Sequence, residues 1–397
     1  MNKKLVAVAI AGLLAAPLAQ AQTANVTLYG RANMNMAFVN GGKFDAASGN
    51  TNPTIFRVDS NSSRFGIRGT ESLGGGLNAI FQIENGSINM SSTGGVLAGR
   101  DTFLGLSGSW GTFKMGFFSA PYDDITIIQG SSTLNTGILS TGSLWAQATQ
   151  DPSGTVTGTQ STGGGFDSRL ANSIRYDSPN WAGFSFSGQF ASAERSATAG
   201  GAGQAAGANN NSSGGNSSNS NSQSYIVRYI NGPFTGLFGY EYHNNLRGPI
   251  NANLDDSAWS IAAQWQFSGF NVGGVFEKLD YDATRTTDLT RHYWQIHSTI
   301  NVGANGELYV MYGSAGDGGG SAVIGTRVGQ LVKGDNTGAD TWQVAYTHAL
   351  SKRTKLFTGY VKVNNDNLAF YSFGGNANSV RPGASPGGFT AGMWHNF

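Results

Sequence analysis

Alternation with a period of two residues, sustained from Val26 to the last residue, limits this chain to β-structure. In Ala258 to Phe267, Trp259, Ile261, Ala263, Trp265 and Phe267 share one face, with Ser260, Ala262, Gln264 and Gln266 opposite. Phe184, Phe186, Gly188 and Phe190 face away from Ser185, Ser187 and Gln189 in the same way. Trp342, Val344, Tyr346, His348 and Leu350 repeat the pattern, and the chain ends on another such run, Phe389 to Phe397. Side chains on a strand point alternately to the two faces of its sheet, so each run has one apolar and one polar face. Alternation alone does not separate a sandwich, whose apolar faces meet each other, from a barrel whose apolar faces meet lipid.

The links between runs separate them. Short ones fall at Thr70 to Gly76, Ser109 to Gly111, Ser178 to Gly183, Asn231 to Phe234, Ser268 to Gly269, Gly303 to Gly306 and Ser351 to Arg353. Long polar ones fall at Val39 to Pro53, Ser119 to Ser168, Glu194 to Ser222, Leu246 to Asp255, Gly316 to Ala339 and Asn365 to Gly388. Tight turns at one end and long loops at the other are the pattern of outer-membrane barrels. Seven short links imply eight hairpins, hence an all-β transmembrane antiparallel barrel of about 16 strands. Residues 194–222, rich in Ala, Asn, Ser and Gly, are expected to form a flexible external loop, because they cannot bury enough apolar surface to order themselves.

Residues 1–21 read as a cleaved secretory signal peptide: Lys3 and Lys4, an apolar run from Leu5 to Leu18, and Ala19-Gln20-Ala21 as the cleavage pattern. That run is too short for a spanning helix, which needs about 20 residues. The expected mature chain, residues 22–397, has 22 basic and 23 acidic side chains. Near-neutral charge without a basic run argues against nucleic-acid binding, and the absence of cysteine removes disulfides and thiolate metal sites.

Charged side chains on strands should face the lumen, because an Arg at the bilayer midplane costs about 2–4 kcal/mol. Parity puts Arg64 and Arg68 on one face and Phe65 and Ile67 on the other, and Arg31, Arg100, Arg169 and Arg175 lie on or beside other strands. Other motifs carry less. Gly383-Ala384-Ser385-Pro386-Gly387 matches a nucleophile elbow in letters but lacks its strand and helix. Gly201-Ala202-Gly203 imitates a dinucleotide loop within low-complexity sequence. The five histidines have no metal-ligand spacing, and Asp255-Asp256 reads as a solvated pair. Nothing calls for a cofactor, a metal or a catalytic residue.

Leu28-Tyr29-Gly30-Arg31, the hairpin from Ser63 to Leu77 with its Arg64-Phe65-Gly66-Ile67-Arg68-Gly69-Thr70-Glu71, the stretch Arg100 to Gly111 and the terminal Phe397 resemble the Gram-negative general porins of the beta-proteobacterial kind. The resemblance runs over essentially the whole mature chain. It implies a 16-stranded homotrimer in the outer membrane, with a third loop, here residues 119–168, folded into each pore as a constriction. It also implies passive passage of inorganic ions and small hydrophilic solutes, with outer-membrane lipid around the barrel and Phe397 as an assembly residue. Carried over by position, Arg31, Arg64, Arg100 and Arg169 form the basic wall, and parity adds Arg68. The opposite wall departs from the family, because Ile125 to Gln150 contains no Asp or Glu. Asp123, Asp124, Asp151 and Asp167 are the candidates for it. If none reaches the constriction, uncompensated arginines favour anions; if Asp124 or Asp167 folds back, the cluster is neutralised. The rival readings are a sugar-specific channel, which needs an aromatic ladder inside the lumen, an outer-membrane enzyme and an adhesin.

Overall fold

The computed structural model describes residues 25–42, 53–85, 99–129, 137–140, 144–146, 165–196, 217–245, 253–374 and 380–397. The expected signal peptide and Asp151 lie outside them. Seventeen hydrogen-bonded segments form one antiparallel sheet that closes on itself. Two of them, Ile55–Ser60 and Arg64–Gly74, pair with successive stretches of the same neighbour and are one interrupted strand, which makes 16 strands. They are β1 (Asn25–Asn40), β2 (Ile55–Ser60 with Arg64–Gly74), β3 (Leu77–Asn85), β4 (Thr102–Gly108), β5 (Gly111–Ser119), β6 (Arg169–Asp177), β7 (Phe184–Ser196) and β8 (Ser217–Asn231). The second half is β9 (Phe234–Asn244), β10 (Asp255–Gln266), β11 (Phe270–Thr284), β12 (Thr287–Val302), β13 (Gly306–Ala315), β14 (Ala339–Ala349), β15 (Thr354–Asn365) and β16 (Gly387–Asn396).

The seam is β1 against β16, in register from Arg31 opposite Asn396 to Asn40 opposite Gly387. Phe397 extends it, its amide donating to Gly30 O (3.1 Å) and its carbonyl accepting from Gly30 N (3.0 Å). A side chain at Gly30 would collide with the Phe397 ring, so glycine is what lets the last residue lie flat on β1. All seven short links are tight turns; at β2–β3, Gly74, Gly75 and Gly76 all take the positive φ that glycine adopts freely.

Burial is inverted relative to a water-soluble domain. Ile261, Trp265, Ile296 and Val344 point outward and are 51%, 47%, 56% and 43% exposed, whereas Ser260, Glu277, Gln295 and Gln343 point inward and are buried. The outward face is itself divided. On the strands β16 and β1–β5 it carries Phe and aliphatic residues such as Leu28, Met36, Phe38, Leu104, Met115 and Met393, and the aromatic with a polar atom there is Trp110 in the β4–β5 turn, stacked on Tyr176 of β6. From β6 to β15 it carries Tyr176, Tyr225, Trp265, Trp294, Trp342 and Tyr360 among others.

Two details differ from the sequence expectation. The polar stretch expected as a loop over 194–222 is partly strand, since β7 runs to Ser196 and β8 starts at Ser217, paired as Ser196 opposite Ser217. Ladder pairing satisfies backbone groups whatever the side chains, so Ser and Asn do not prevent it. Residues 197–216 are outside the described set. On the long-loop side, Thr284 and Thr287 close a two-residue turn that breaks the alternation of short and long links.

Candidate functional site: the lumen and its inserted loop

The third loop leaves β5 at Ser119 and returns at Arg169, and between them it crosses the lumen. Its first turn, Pro121–Ile127, is a 3-10 helix with Pro at the start, where a missing N–H costs nothing. Tyr122 anchors it: the amide donates to Ser224 Oγ on β8 (3.0 Å), and the phenol donates to Glu277 Oε1 on β11 (2.9 Å) beside Ser260 of β10. The Trp145 ring stacks on Tyr122 at 5.3 Å and its indole N–H donates to Ser260 Oγ (3.2 Å). Glu277 also accepts from the Ala146 amide (3.1 and 3.0 Å) and from Arg291 Nη2 on β12 (3.4 Å). Farther on, Gln129 O accepts from Gln295 Nε2 on β12 and Tyr309 OH on β13, and Leu139 O accepts from Gln343 Nε2 on β14. Phe166, on the returning limb, stacks on His243 at 4.6 Å, and His243 bonds Glu241 at 2.7 Å. The loop is thereby fastened along β8–β14, and Leu139 reaches β15 at Gly359 while Ile138 reaches β16 at Gly388.

Among its described residues, the loop meets β1–β6 at fewer places, with Gly137 beside Asn61 at the break in β2 and Ser119 O and Asp124 on Arg175 of β6, and along this less covered wall stand the arginines expected from sequence. The break in β2 helps to place one of them. At Ser62, which takes a positive φ, the strand bulges, and the Ser63 hydroxyl both accepts from Asn33 N (2.9 Å) and donates to Asn33 O (3.1 Å), replacing ladder bonds. Arg64 then resumes the strand directly opposite Arg31.

Between the arginines stands a residue the sequence reading did not single out. Glu84 of β3 accepts from Arg100 Nε at 2.5 Å and from Tyr29 OH at 2.9 Å, and lies 3.7 Å from Arg64 Nε. Arg169 pairs with Asp101 at 2.7 Å. The Arg31 guanidinium lies 3.5 Å from the centre of the Trp394 ring and its Nε donates to Asn396 Oδ1 (3.5 Å). Arg68 shares their face but stands nearer the short-turn end, exposed, 5.0 Å from the Tyr29 ring. Within this cluster the four arginines, Arg31, Arg64, Arg100 and Arg169, outnumber the two carboxylates among them, Glu84 and Asp101, by two; elsewhere on the same strands Arg57 pairs with Asp59, and Lys114 and Arg175 pair with Asp177.

Among the described residues, the loop acids do not erase that excess. Asp124 binds Arg175, at 3.4 Å, and Arg228, two cations on β6 and β8 outside the main cluster. Asp123 and Asp167 stand near Arg169 and keep part of their surface accessible. Crowding by protein, with Asp167 beside it, raises the pKa of Asp123 to about 8, and burial raises that of Asp167 to about 6. At neutral pH Asp123 is mostly protonated and Asp167 mostly ionised.

The family model for Gram-negative porins matches residues 6–368. The chain belongs to the Gram-negative porins. It is 25% identical to outer membrane porin protein 32 of Delftia acidovorans over 408 residues, covering all of both chains. It is 28% identical to an outer membrane porin protein of Bordetella pertussis over 402 residues, covering 90% of this chain and 93% of the other. Among solved structures, an anion-selective porin from Comamonas acidovorans superposes with a TM-score of 0.71 at 22% identity, over 94% of this chain and all of the other, a likeness of fold. This porin is thus an outer-membrane β-barrel whose apolar exterior meets lipid and whose polar interior is a passive channel.

Proposed function

We propose that this porin is an anion-preferring diffusion channel for inorganic ions and small hydrophilic solutes, assembled as a homotrimer. The observation that carries the preference is the excess of guanidinium over carboxylate in the cluster on the less covered lumen wall, with Arg31 held by an aromatic ring and a carboxamide. Positive rings in a pore raise the local concentration of anions and lower that of cations. The basic wall is Arg31, Arg64, Arg100 and Arg169, with Arg68 as an approach on the short-turn side. Asp123 and Asp167 modulate it from the loop, while Asp124 serves Arg175 and Arg228.

The trimer reading rests on the divided exterior. Trp and Tyr favour the membrane–water boundary, where ring and polar atom are both accommodated. Six strands whose outward residues include neither among those described, from β16 through β5, with Trp110 confined to the β4–β5 turn, suit burial against another copy. Phe397, laid on β1 at the edge of that face, fits a role in assembly.

The deciding measurement is the reversal potential of the purified protein in a planar bilayer under a salt gradient. A sign favouring the anion, with closing in three steps under voltage, bears the reading out. A potential near zero or of cationic sign refutes the anion preference, and single-step closing refutes the trimer.

A further inference from the structure

One arginine in this lumen is in the wrong place to attract solutes. Arg291 on β12 is fully buried, whereas the side chains of Arg64, Arg100 and Arg169 keep 22%, 17% and 28% of their surface open. A buried guanidinium is retained only where it is paired and hydrogen-bonded, and its field is then taken up locally. Arg291 meets Glu277 on its own wall and donates to Leu144 O (2.5 Å) in the third loop. Its Cζ lies 5.5 Å from the centre of the Tyr371 ring, within cation–π range. Tyr371 belongs to the eighth loop, between β15 and β16.

That loop also turns into the barrel. Ala369, Phe370, Tyr371 and Phe373 are buried. The Asn365 carboxamide, at the end of β15, accepts from Tyr371 N (2.9 Å) and donates to Tyr371 O (2.9 Å) and Ala384 O (2.6 Å), which fixes the inward bend. Phe373 of the eighth loop and Ile138 of the third both close on Gly388. The two loops thus pack against each other, with Gly374 of the eighth beside Gly137 of the third, and Arg291 is a side chain that touches both.

We propose that Arg291 is a positioning residue that joins the third and eighth loops into one inward-projecting unit, so that the free width of the pore is set by both loops. Passing solutes do not meet its guanidinium. Its removal widens the pore without changing charge preference.

The test compares the parent porin, Arg291→Lys, Tyr371→Leu and the double variant, each purified as folded barrel that shifts mobility only on boiling. Lysine keeps the charge beside Glu277 but lacks the fork that spans Leu144 O and Tyr371. Single-channel conductance in Arg291→Lys should rise about twofold, with larger sugars admitted into liposomes, because both report the narrowest cross-section. Tyr371→Leu should give a smaller rise, and the double variant should match Arg291→Lys, since residues acting through one contact are not additive. Reversal potentials should stay at the parent value throughout. Unchanged conductance and sugar exclusion in folded Arg291→Lys, or additive effects in the double variant, would overturn the proposal. If Arg291→Lys does not fold, Tyr371→Leu decides alone, an unchanged conductance counting against the joint role. The anion reading fails separately, through the parent's reversal potential.

Discussion

The two halves of the lumen wall carry similar residues to opposite ends. On β1–β6, which the described part of the inserted loop covers less, Arg64, Arg100 and Arg169 each keep some surface open to the pore, with Glu84 buried between Arg64 and Arg100. On β8–β14, Glu241, His243, Glu277 and Arg291 lie beneath the loop and are closed off. An open charge is screened by water and acts on what passes. A covered charge loses its hydration, must be matched by donors and acceptors nearby, and acts on the loop that covers it. In the proposed reading, coverage by the third loop, more than residue type, separates the charges offered to solutes from those that hold the loop.

The sharpest way to break this comparison is to make the same substitution on both walls. Glu277→Gln leaves Arg291 enclosed without its counter-charge, and removing one partner of a buried pair costs about 3–5 kcal/mol. The expected result is a barrel that loses its folded gel mobility at a lower temperature, with noisy, enlarged conductance. Glu84→Gln, whose cationic partners Arg64 and Arg100 stay partly open to water, should lower that temperature less, and equal destabilisation of the two variants would erase the distinction. Next in size is selectivity. Arg64→Ala combined with Arg100→Ala should lower the anion-to-cation permeability ratio in bilayers at low salt. A unit charge about 4 Å away in water is worth about 1 kcal/mol, or about fivefold, for each charge removed. An unchanged reversal potential would remove those residues from the selecting wall.

Glu84→Gln itself should move the ratio the other way, toward anions, by less than that factor, because Arg64, Arg100 and Tyr29 already share the carboxylate. The smallest effect is that of pH. A raised carboxylate pKa means the proton is held up to that pKa, so raising pH from 7 to 9 ionises Asp123 and should weaken anion preference. Lowering pH from 7 to 5 neutralises Asp167 and should strengthen it. A profile flat over that span, measured as reversal potential, would show that the loop acids do not face the current path.

Much of the barrel could be read from the sequence because membrane strands must alternate and their short turns need Gly, Asn, Pro or Ser. All seven tight turns lie where those residues marked them. The turn after Thr284 escaped because Arg285 and Thr286 carry no such mark. Glu84 escaped for a different reason: it shares parity with Gln82 and is the one charged residue of Leu77–Asn85, so the rule applied to the arginines would have turned it inward too. The roles of Glu277 and Arg291 were not legible in the same sense. Parity turns both inward, but only the path of the third loop, which alternation does not encode, decides that they are covered.

The seam between β1 and β16 has a consequence for how the molecule comes into being. Arg31 and Asn396, 365 residues apart in sequence, are neighbours across it. The entropy lost in closing a chain segment rises slowly with its length, by about 0.6 kcal/mol per doubling, so the final pairing is permitted thermodynamically. Its kinetic demand is larger, since topologies dominated by distant pairings assemble slowly. Until the two ends meet, β1 and β16 each present an unpaired row of amides and carbonyls that hydrocarbon cannot satisfy. Hairpins can form early, but an open barrel leaves these two edges unsatisfied in the bilayer, and closing the seam is what removes them.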